Sequence, residues 1–430
     1  MDLTIGAKYE VLLKDGRKRC GLLVSVNSDS IFLKLGSGYN EGILLKNIKS
    51  SKLLGEPSTT QKKTSILESN PEILILHTGG TIASKVDYST GAVNSLVTPE
   101  ELLALYPELK TNVRIGSELI SNMPSDDLNF SHYNVIVKKI EDSIKKYPRL
   151  KGIILTHGTD TMHYSSAALS FALQNLPLPV VLVGSQRSSD RPSSDAAFNL
   201  LNAVFFITKK PEFKEVMICM HKSVNDPDAL ILRGVNARKM HSSKRDAFKP
   251  VNLLPIASVN FESKKIDLIQ EPLPRSFEKF KTSKFNEHLK IGWIKSRPNM
   301  HPDEFSFYKN FDALILEGTG LGHFPITEFD QGTKNNALIF KNIKELSKSL
   351  ILVMVTQTIF GRINLNVYSP ARKLKELGVL GHNSALSPET AYIKLAWLLS
   401  NFKKDEIKNL YDEDFAGEVV QRIIGGNYNE

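Results

Sequence analysis

The amino-acid sequence predicts an α/β protein, a two-domain core of mostly parallel strands and covering helices, preceded by a small β-barrel. From Pro71 onward, short apolar runs alternate with loops and helical stretches, the pattern of parallel strands joined by crossover helices. Before that point the apolar runs are shorter and closer together, and only turn signals separate them. Two of the later runs end in loops rich in glycine and threonine, Thr78-Gly79-Gly80-Thr81 and Thr156-His157-Gly158-Thr159-Asp160-Thr161. In an open α/β sheet such loops, at the carboxyl ends of strands, converge on one crevice.

The chain's 430 residues suffice for two or three domains. With 41% hydrophobic and 23% charged residues, it has the make-up of a globular protein able to bury a sizeable core. No apolar run reaches the roughly 18 residues that a membrane-spanning helix needs, so no membrane association is expected. The opening Met1-Asp2-Leu3-Thr4 lacks the basic and apolar regions of a signal peptide, and a cytoplasmic location is the expectation. Cys20 and Cys219 stand far apart without metal-ligand spacing, which argues against a disulfide framework or a zinc site. A net charge of +9 fits an anionic partner such as RNA, and fits a lysine-rich solvated surface equally well.

Residues 1–55 read as the barrel. Tyr9–Leu13, Cys20–Val26, Ser30–Leu35 and Gly42–Leu45 are strand-like, with turn signals at Asp15-Gly16, Asn27-Ser28-Asp29 and Gly36-Ser37-Gly38. Closely spaced strands of this kind fit a small antiparallel barrel that resembles SH3-like or Sm-like barrels. Lys14, Arg17, Lys18 and Arg19 cluster at one hairpin turn, either a contact for RNA or a partner, or a solvated turn. Residues 56–70 are polar and without period, and read as a linker. Residues 71–280 form the larger α/β domain. Its strands include Ile73–Leu76, Gly152–Leu155 and Pro179–Val183, and helices are expected from the Thr98-Pro99-Glu100-Glu101 capping pattern and over Asp195–Val204. A boundary near 275–288 leads to a smaller α/β domain, 281–430, with strands at Lys290–Ile294, Asp312–Leu316 and Leu350–Val355.

A threonine hydroxyl attacks only when a neighbouring group takes its proton. Thr159-Asp160 places a hydroxyl beside a carboxylate, and Lys239, in Asn236-Ala237-Arg238-Lys239-Met240-His241, is the lysine that would complete such a relay. On spacing alone, a plain strand-to-helix turn is the commoner reading of either Thr-Gly loop. His157 and His163 lack a further ligand at metal spacing. Glu317-Gly318-Thr319-Gly320-Leu321-Gly322 has the wrong glycine spacing for a dinucleotide loop and reads as a turn, and Ser185–Arg191 reads as a structural loop.

Thr78-Gly79-Gly80-Thr81-Ile82-Ala83-Ser84, His157-Gly158-Thr159-Asp160-Thr161-Met162 and Ala237-Arg238-Lys239-Met240-His241 with Asp246-Ala247-Phe248 resemble, in order, the signatures of the L-asparaginase/glutaminase family. The likeness covers about residues 71–425. It implies an asparaginase-like two-domain fold in which Thr81 is the nucleophile, Thr159 and Asp160 the second threonine and its acidic partner, and Lys239 the end of the relay. It further implies that Tyr88 lies on a lid, that Ser125 and Asp126 bind the amino-acid head group, and that backbone N–H groups at Gly158 and Thr159 form an oxyanion hole. Two departures stand out. Secreted bacterial asparaginases have glutamine where Asp126 stands, and Gly361–Tyr368 lacks the glutamate that they supply from the neighbouring subunit.

The barrel, the linker and Gly361–Tyr368 together resemble one branch, the D subunits of the archaeal-type glutamyl-tRNA(Gln) amidotransferases. That likeness implies a glutaminase that hydrolyses glutamine and passes ammonia to the amidotransferase E subunit, which activates glutamyl-tRNA with ATP and Mg. No cofactor is then expected in this chain, which also lacks a Gly-x-x-x-x-Gly-Lys-Ser/Thr loop. Contact with tRNA through the complex and a homodimer within a heterotetramer are the implied assembly. The alternatives are a stand-alone cytoplasmic L-asparaginase and a non-catalytic binding subunit that keeps the core as scaffold.

Overall fold

The computed structural model describes residues 3–35, 40–55, 70–80, 82, 84–86, 93–95, 113–187, 194–224, 227–274 and 278–423. The expected helix start at Thr98–Glu101 and all but the last residue of the 56–70 linker lie outside them.

At the N-terminus, β1 (Lys8–Leu13), β2 (Lys18–Val26), β3 (Ser30–Leu35), β4 (Asn40–Leu44) and β5 (Ile48–Gly55) form an antiparallel sheet in the order β4-β3-β2-β1-β5. Alternation builds it: along β1, Tyr9, Val11 and Leu13 point inward, joining Leu23, Ile31, Leu33, Ile43 and Ile48 in a core of their own. The β1–β2 turn uses Gly16 at φ +86°, which a side chain would disfavour. Around that turn Arg17 pairs with Asp15 at 2.7 Å, Lys18 with Glu10 at 3.3 Å and Arg19 with Glu41 at 2.6 Å. Three of the four cations in the cluster therefore carry their own counter-charges, which weakens the RNA-contact reading of this turn.

The larger sheet contains β6 (Ile73–His77), β7 (Ile115–Leu119), β8 (Gly152–Thr156), β9 (Val180–Val183), β10 (Val216–His221) and β11 (Ala229–Arg233). A separate hairpin follows, β12 (Ala237–Lys239) with β13 (Phe248–Pro250), and then β14 (Ala257–Asn260) and β15 (Lys265–Leu268) rejoin the sheet. The order is β15-β14-β11-β10-β9-β8-β6-β7. From β7 to β10 the strands are parallel, while β11, β14 and β15 add antiparallel. The sequence suggests a largely parallel sheet, and the antiparallel edge arises where β10 turns back into β11 through a connection too short for a crossover helix.

Strands β6 and β8 are buried along their whole length, as parallel strands covered on both faces must be. Ile73, Ile75 and Ile154 pack on one face with α3 (Ala196–Lys209). Leu74, Leu76, Ile153 and Leu155 pack on the other with α1 (Phe130–Lys146) and α2 (Met162–Ala172). The expected Asp195–Val204 helix is α3, with Asp195 at its N-terminus: its carboxylate accepts bonds from the Ser185 hydroxyl and the backbone N–H groups of Gln186 and Arg187, so this loop serves the helix end.

A second parallel sheet, β16 (Ile291–Lys295), β17 (Ala313–Gly318) and β18 (Ile351–Thr356), packs on one face against α4 (Lys334–Leu346), with α5 (Ser369–Glu376) beyond β18. Its other face does not close on itself. Ala313, Ile315, Val353 and Val355 share a core with α1, α2 and α6 (Pro388–Asn401). Helix α6 is buried nearly all round, and the charged residues it buries, Glu389 and Lys394, are paired with Arg238 and Glu418. Its Trp397 stacks on Phe171 of α2 with ring centroids 5.7 Å apart. Among the described residues, no helix is long and apolar enough to cross a membrane.

Candidate active site

Strand order places the crevice. After β6 the chain crosses to β7 on one side, and β8 then adds on the other, so the order reverses between β6 and β8. Ligand sites of open α/β sheets lie outside the carboxyl ends of the strands at such a reversal. Parallel pairing sets Thr156 beside His77, which brings the loops that follow to the same level. Thr78 ties them together, donating from its backbone N–H (3.2 Å) and its hydroxyl (2.9 Å) to the Thr156 carbonyl.

Glycine is required where these loops meet. Gly80 has φ +82°, and a Cβ there would fall 2.4 Å from the Cα and N of Gly158. A Cβ on Gly158 would in turn fall 2.8 Å from Cβ and Oγ of Ser125. The first two segments thus touch backbone to backbone and the third meets them through the Ser125 side chain, at separations no larger residue permits. Ser125 is buried in a short 3₁₀ turn, Ser125–Asp127, while Asp126 beside it is exposed. The Thr161 hydroxyl donates to the Ser125 carbonyl at 2.6 Å and fixes that turn to the second loop.

Lys239 arrives from the other side. Its side chain is 9% exposed, and its Nζ donates to Thr159 Oγ1 at 2.9 Å and to Asp160 Oδ1 at 2.7 Å. Charge-assisted bonds of this kind are short and directional, and here they join a hydroxyl, a carboxylate and an ammonium in one triangle. Asp160 keeps 67% of its side chain exposed, so the triangle opens to solvent on the carboxylate side. Imidazoles are buried at the ends of the elements that lead here: His77 closes β6, His157 follows β8 and His163 stands at the start of α2. Burial pulls His77 and His157 down to about 4, and pulls His163 to about 3 with help from Arg238 and Lys239. His77 is held by Thr156 Oγ1 at 2.9 Å and Ser117 Oγ at 2.7 Å. These rings are neutral at physiological pH and serve as packing and hydrogen-bonding groups. No cluster of metal-ligating side chains occurs among the described residues.

Of the residues singled out in the sequence, the structure brings Thr159, Asp160 and Lys239 into direct contact and sets Gly158, Ser125 and Asp126 beside them. Thr81 and Tyr88 lie outside the described residues; Thr81 follows Gly80 directly in the chain. Sequence reasoning overlooks Thr161, whose hydroxyl marks it only as a helix-start residue. It also overlooks Glu389, which bonds Arg238 at 2.9 Å from far along the chain, without a local signal.

Residues 72–274 match the family described as "Asparaginase, N-terminal", and residues 290–411 match "Glutaminase/Asparaginase C-terminal domain". Relatives extend further. The glutamyl-tRNA(Gln) amidotransferase D subunit of Thermofilum pendens is 40% identical, over 99% of this chain and 96% of the relative. The protein of the same name from Methanococcus vannielii is 40% identical over 94% and 95%, and that from Sulfolobus acidocaldarius 39% over 97% and 92%.

The chain belongs to the family of glutamyl-tRNA(Gln) amidotransferase D subunits.

Within that family the core keeps the asparaginase architecture. The thermostable L-asparaginase of Thermococcus kodakarensis superposes with a TM-score of 0.71 and 27% identity, covering 99% of that chain but 81% of this D-subunit relative. L-asparaginase I of Vibrio cholerae gives 0.69 and 27%, with 99% and 82% covered. Asparaginases are thus matched almost whole while about a fifth of this chain stays unmatched, whereas the D-subunit relatives match nearly all of it.

Proposed function

We propose that this chain is the glutaminase subunit of a glutamyl-tRNA(Gln) amidotransferase: it hydrolyses glutamine and supplies ammonia to a partner subunit that converts Glu-tRNA(Gln) to Gln-tRNA(Gln). The observation that carries the reading is 40% identity to a D-subunit relative over 99% of the chain, together with the contact of Lys239 with Thr159 and Asp160. A stand-alone L-asparaginase would leave the N-terminal sheet without a purpose.

In this reading Thr81 Oγ attacks the side-chain amide carbon of glutamine. Its proton passes through the Thr159, Asp160 and Lys239 group to the departing nitrogen, and ammonia leaves an ester of glutamate on Thr81. Water, deprotonated by the same group, then cleaves the ester and restores the hydroxyl. Backbone N–H groups at Gly158 and Thr159 face the developing oxyanion, Ser125 and Asp126 take the head group, and Tyr88 covers the site. The N-terminal sheet is an SH3-like barrel (1–55), joined by the 56–70 linker to core domains at 71–280 and 281–430. ATP and Mg belong to the partner E subunit, tRNA reaches the chain through the complex, and two copies pair within a cytoplasmic heterotetramer.

Ammonia release from glutamine and from asparagine, with and without partner and charged tRNA, tests the reading. Thr81→Ala or Lys239→Ala abolishes glutamine-dependent amidation of the tRNA and leaves amidation from added ammonia intact. Rapid hydrolysis of free asparagine, indifferent to partner and tRNA, would favour the asparaginase instead.

A further inference from the structure

We infer that Arg238 and Glu389 form a strut that holds Lys239 against Thr159 and Asp160, which makes both of them positioning residues for glutamine hydrolysis; the inference rests on the glutaminase reading above. Lys239 ends β12, a strand of three residues whose pairing partner is β13. A hairpin this short does not by itself hold a long lysine side chain at two hydrogen-bond distances.

The hairpin's bracing comes from the C-terminal half of the chain. Arg238 donates from Nε to Oε1 of Glu389 at 3.1 Å and forms an ion pair with the same oxygen, Nη2 lying 2.9 Å from it; this carboxylate is 7% exposed in the first turn of α6. The next residue, Thr390, donates its hydroxyl to the carbonyl of Val235, just before β12, at 2.9 Å. Beyond β13, the Asn252 amide donates to the carbonyls of Ala385 (2.7 Å) and Gly361 (3.2 Å), and its Oδ1 accepts from the Gly361 N–H at 2.9 Å. Both ends of the hairpin are therefore pinned to the C-terminal half.

Neighbouring residues of a strand project to opposite faces. Anchoring Arg238 on one face consequently fixes the roll of β12 and, with it, the direction in which Lys239 leaves on the other. Two ionisable neighbours of Arg238 offer no substitute anion among the described residues. His163 and Tyr164 are held neutral by burial, and the second oxygen of Glu389 has no hydrogen-bond partner among the described residues. A misplacement of about 1 Å in a catalytic group can cost about a hundredfold in rate, so a strut remote from the chemistry can govern turnover.

The test is steady-state glutamine hydrolysis by the full chain in its complex, comparing Glu389→Gln, Arg238→Lys and the exchanged pair Arg238→Glu with Glu389→Arg. Glu389→Gln is expected to lower kcat about ten- to a hundredfold, with KM within about twofold and an unchanged melting midpoint. Arg238→Lys, which keeps the charge and one donor to Glu389, is expected to recover most of the rate. A kcat within about twofold of the parent, or a loss accounted for by the unfolded fraction, overturns the strut. If the parent complex hydrolyses no glutamine, it is the glutaminase reading that fails. Crystals of Glu389→Gln then decide the strut: Lys239 Nζ displaced from Thr159 Oγ1 upholds it, and an unmoved Nζ overturns it.

Discussion

His77, His157 and His163 are buried in the core domain, and their burial gives the fold a pH signature. Unfolded, each binds a proton near 6.5; folded, His77 and His157 do so at about 4 and His163 at about 3. Between those limits the unfolded chain holds more protons, so stability rises with pH. The contribution is complete above 6.5 and is lost as the pH falls toward 4 and then 3. Each ring contributes a slope of about 1.4 kcal/mol per pH unit within its window. The urea midpoint is expected to fall from about pH 6.5 to about pH 5, with a shallower slope in His77→Gln. A pH-independent midpoint over that range would mean that these rings are not buried and neutral.

At the scale of elements, the site depends on how closely the loops after β6 and β8 approach. Replacing Gly80 by Ala forces a left-handed backbone on a residue with a side chain and drives Cβ into the Gly158 backbone. A cost of about 1–3 kcal/mol is expected, with a loss of glutamine hydrolysis larger than the stability loss explains. Urea denaturation and kcat measured on the same protein check it. Much of this was legible beforehand. Ile73–Leu76 and Gly152–Leu155 read as strands because each is a short apolar run ended by glycine, and the turn at Asp15-Gly16 announced the β1–β2 hairpin. What escaped was long-range. Ala237–Lys239 read as a polar stretch because a three-residue strand carries no alternation to detect. Its tie to Glu389 spans 151 positions and leaves no local trace. The antiparallel edge was hidden too, since β11 is as apolar as the parallel strands beside it.

For the whole molecule, the N-terminal sheet and the core have separate apolar interiors, because Tyr9, Val11, Leu23 and Ile31 pack among themselves. Removing residues 1–55 is therefore expected to leave a folded core that still hydrolyses glutamine, while glutamine-dependent amidation of tRNA in the complex falls. Parallel assays of ammonia release and Gln-tRNA formation separate the two effects, and equal loss in both would show that the sheet supports the core itself. The balanced charges around Arg17, Lys18 and Arg19 add that reversing Asp15 or Glu41, rather than raising the salt, is what would turn this face into a strongly basic one.

Helix α6 gives the core the opposite character. The two family matches meet between residues 274 and 290, yet α6, from the second match, fills the space between the sheets and is buried almost all round. The matched regions and the packed cores thus divide this chain differently. A gene cut between the two matched regions would yield two polypeptides, each with an unsealed apolar flank that the other is shaped to cover.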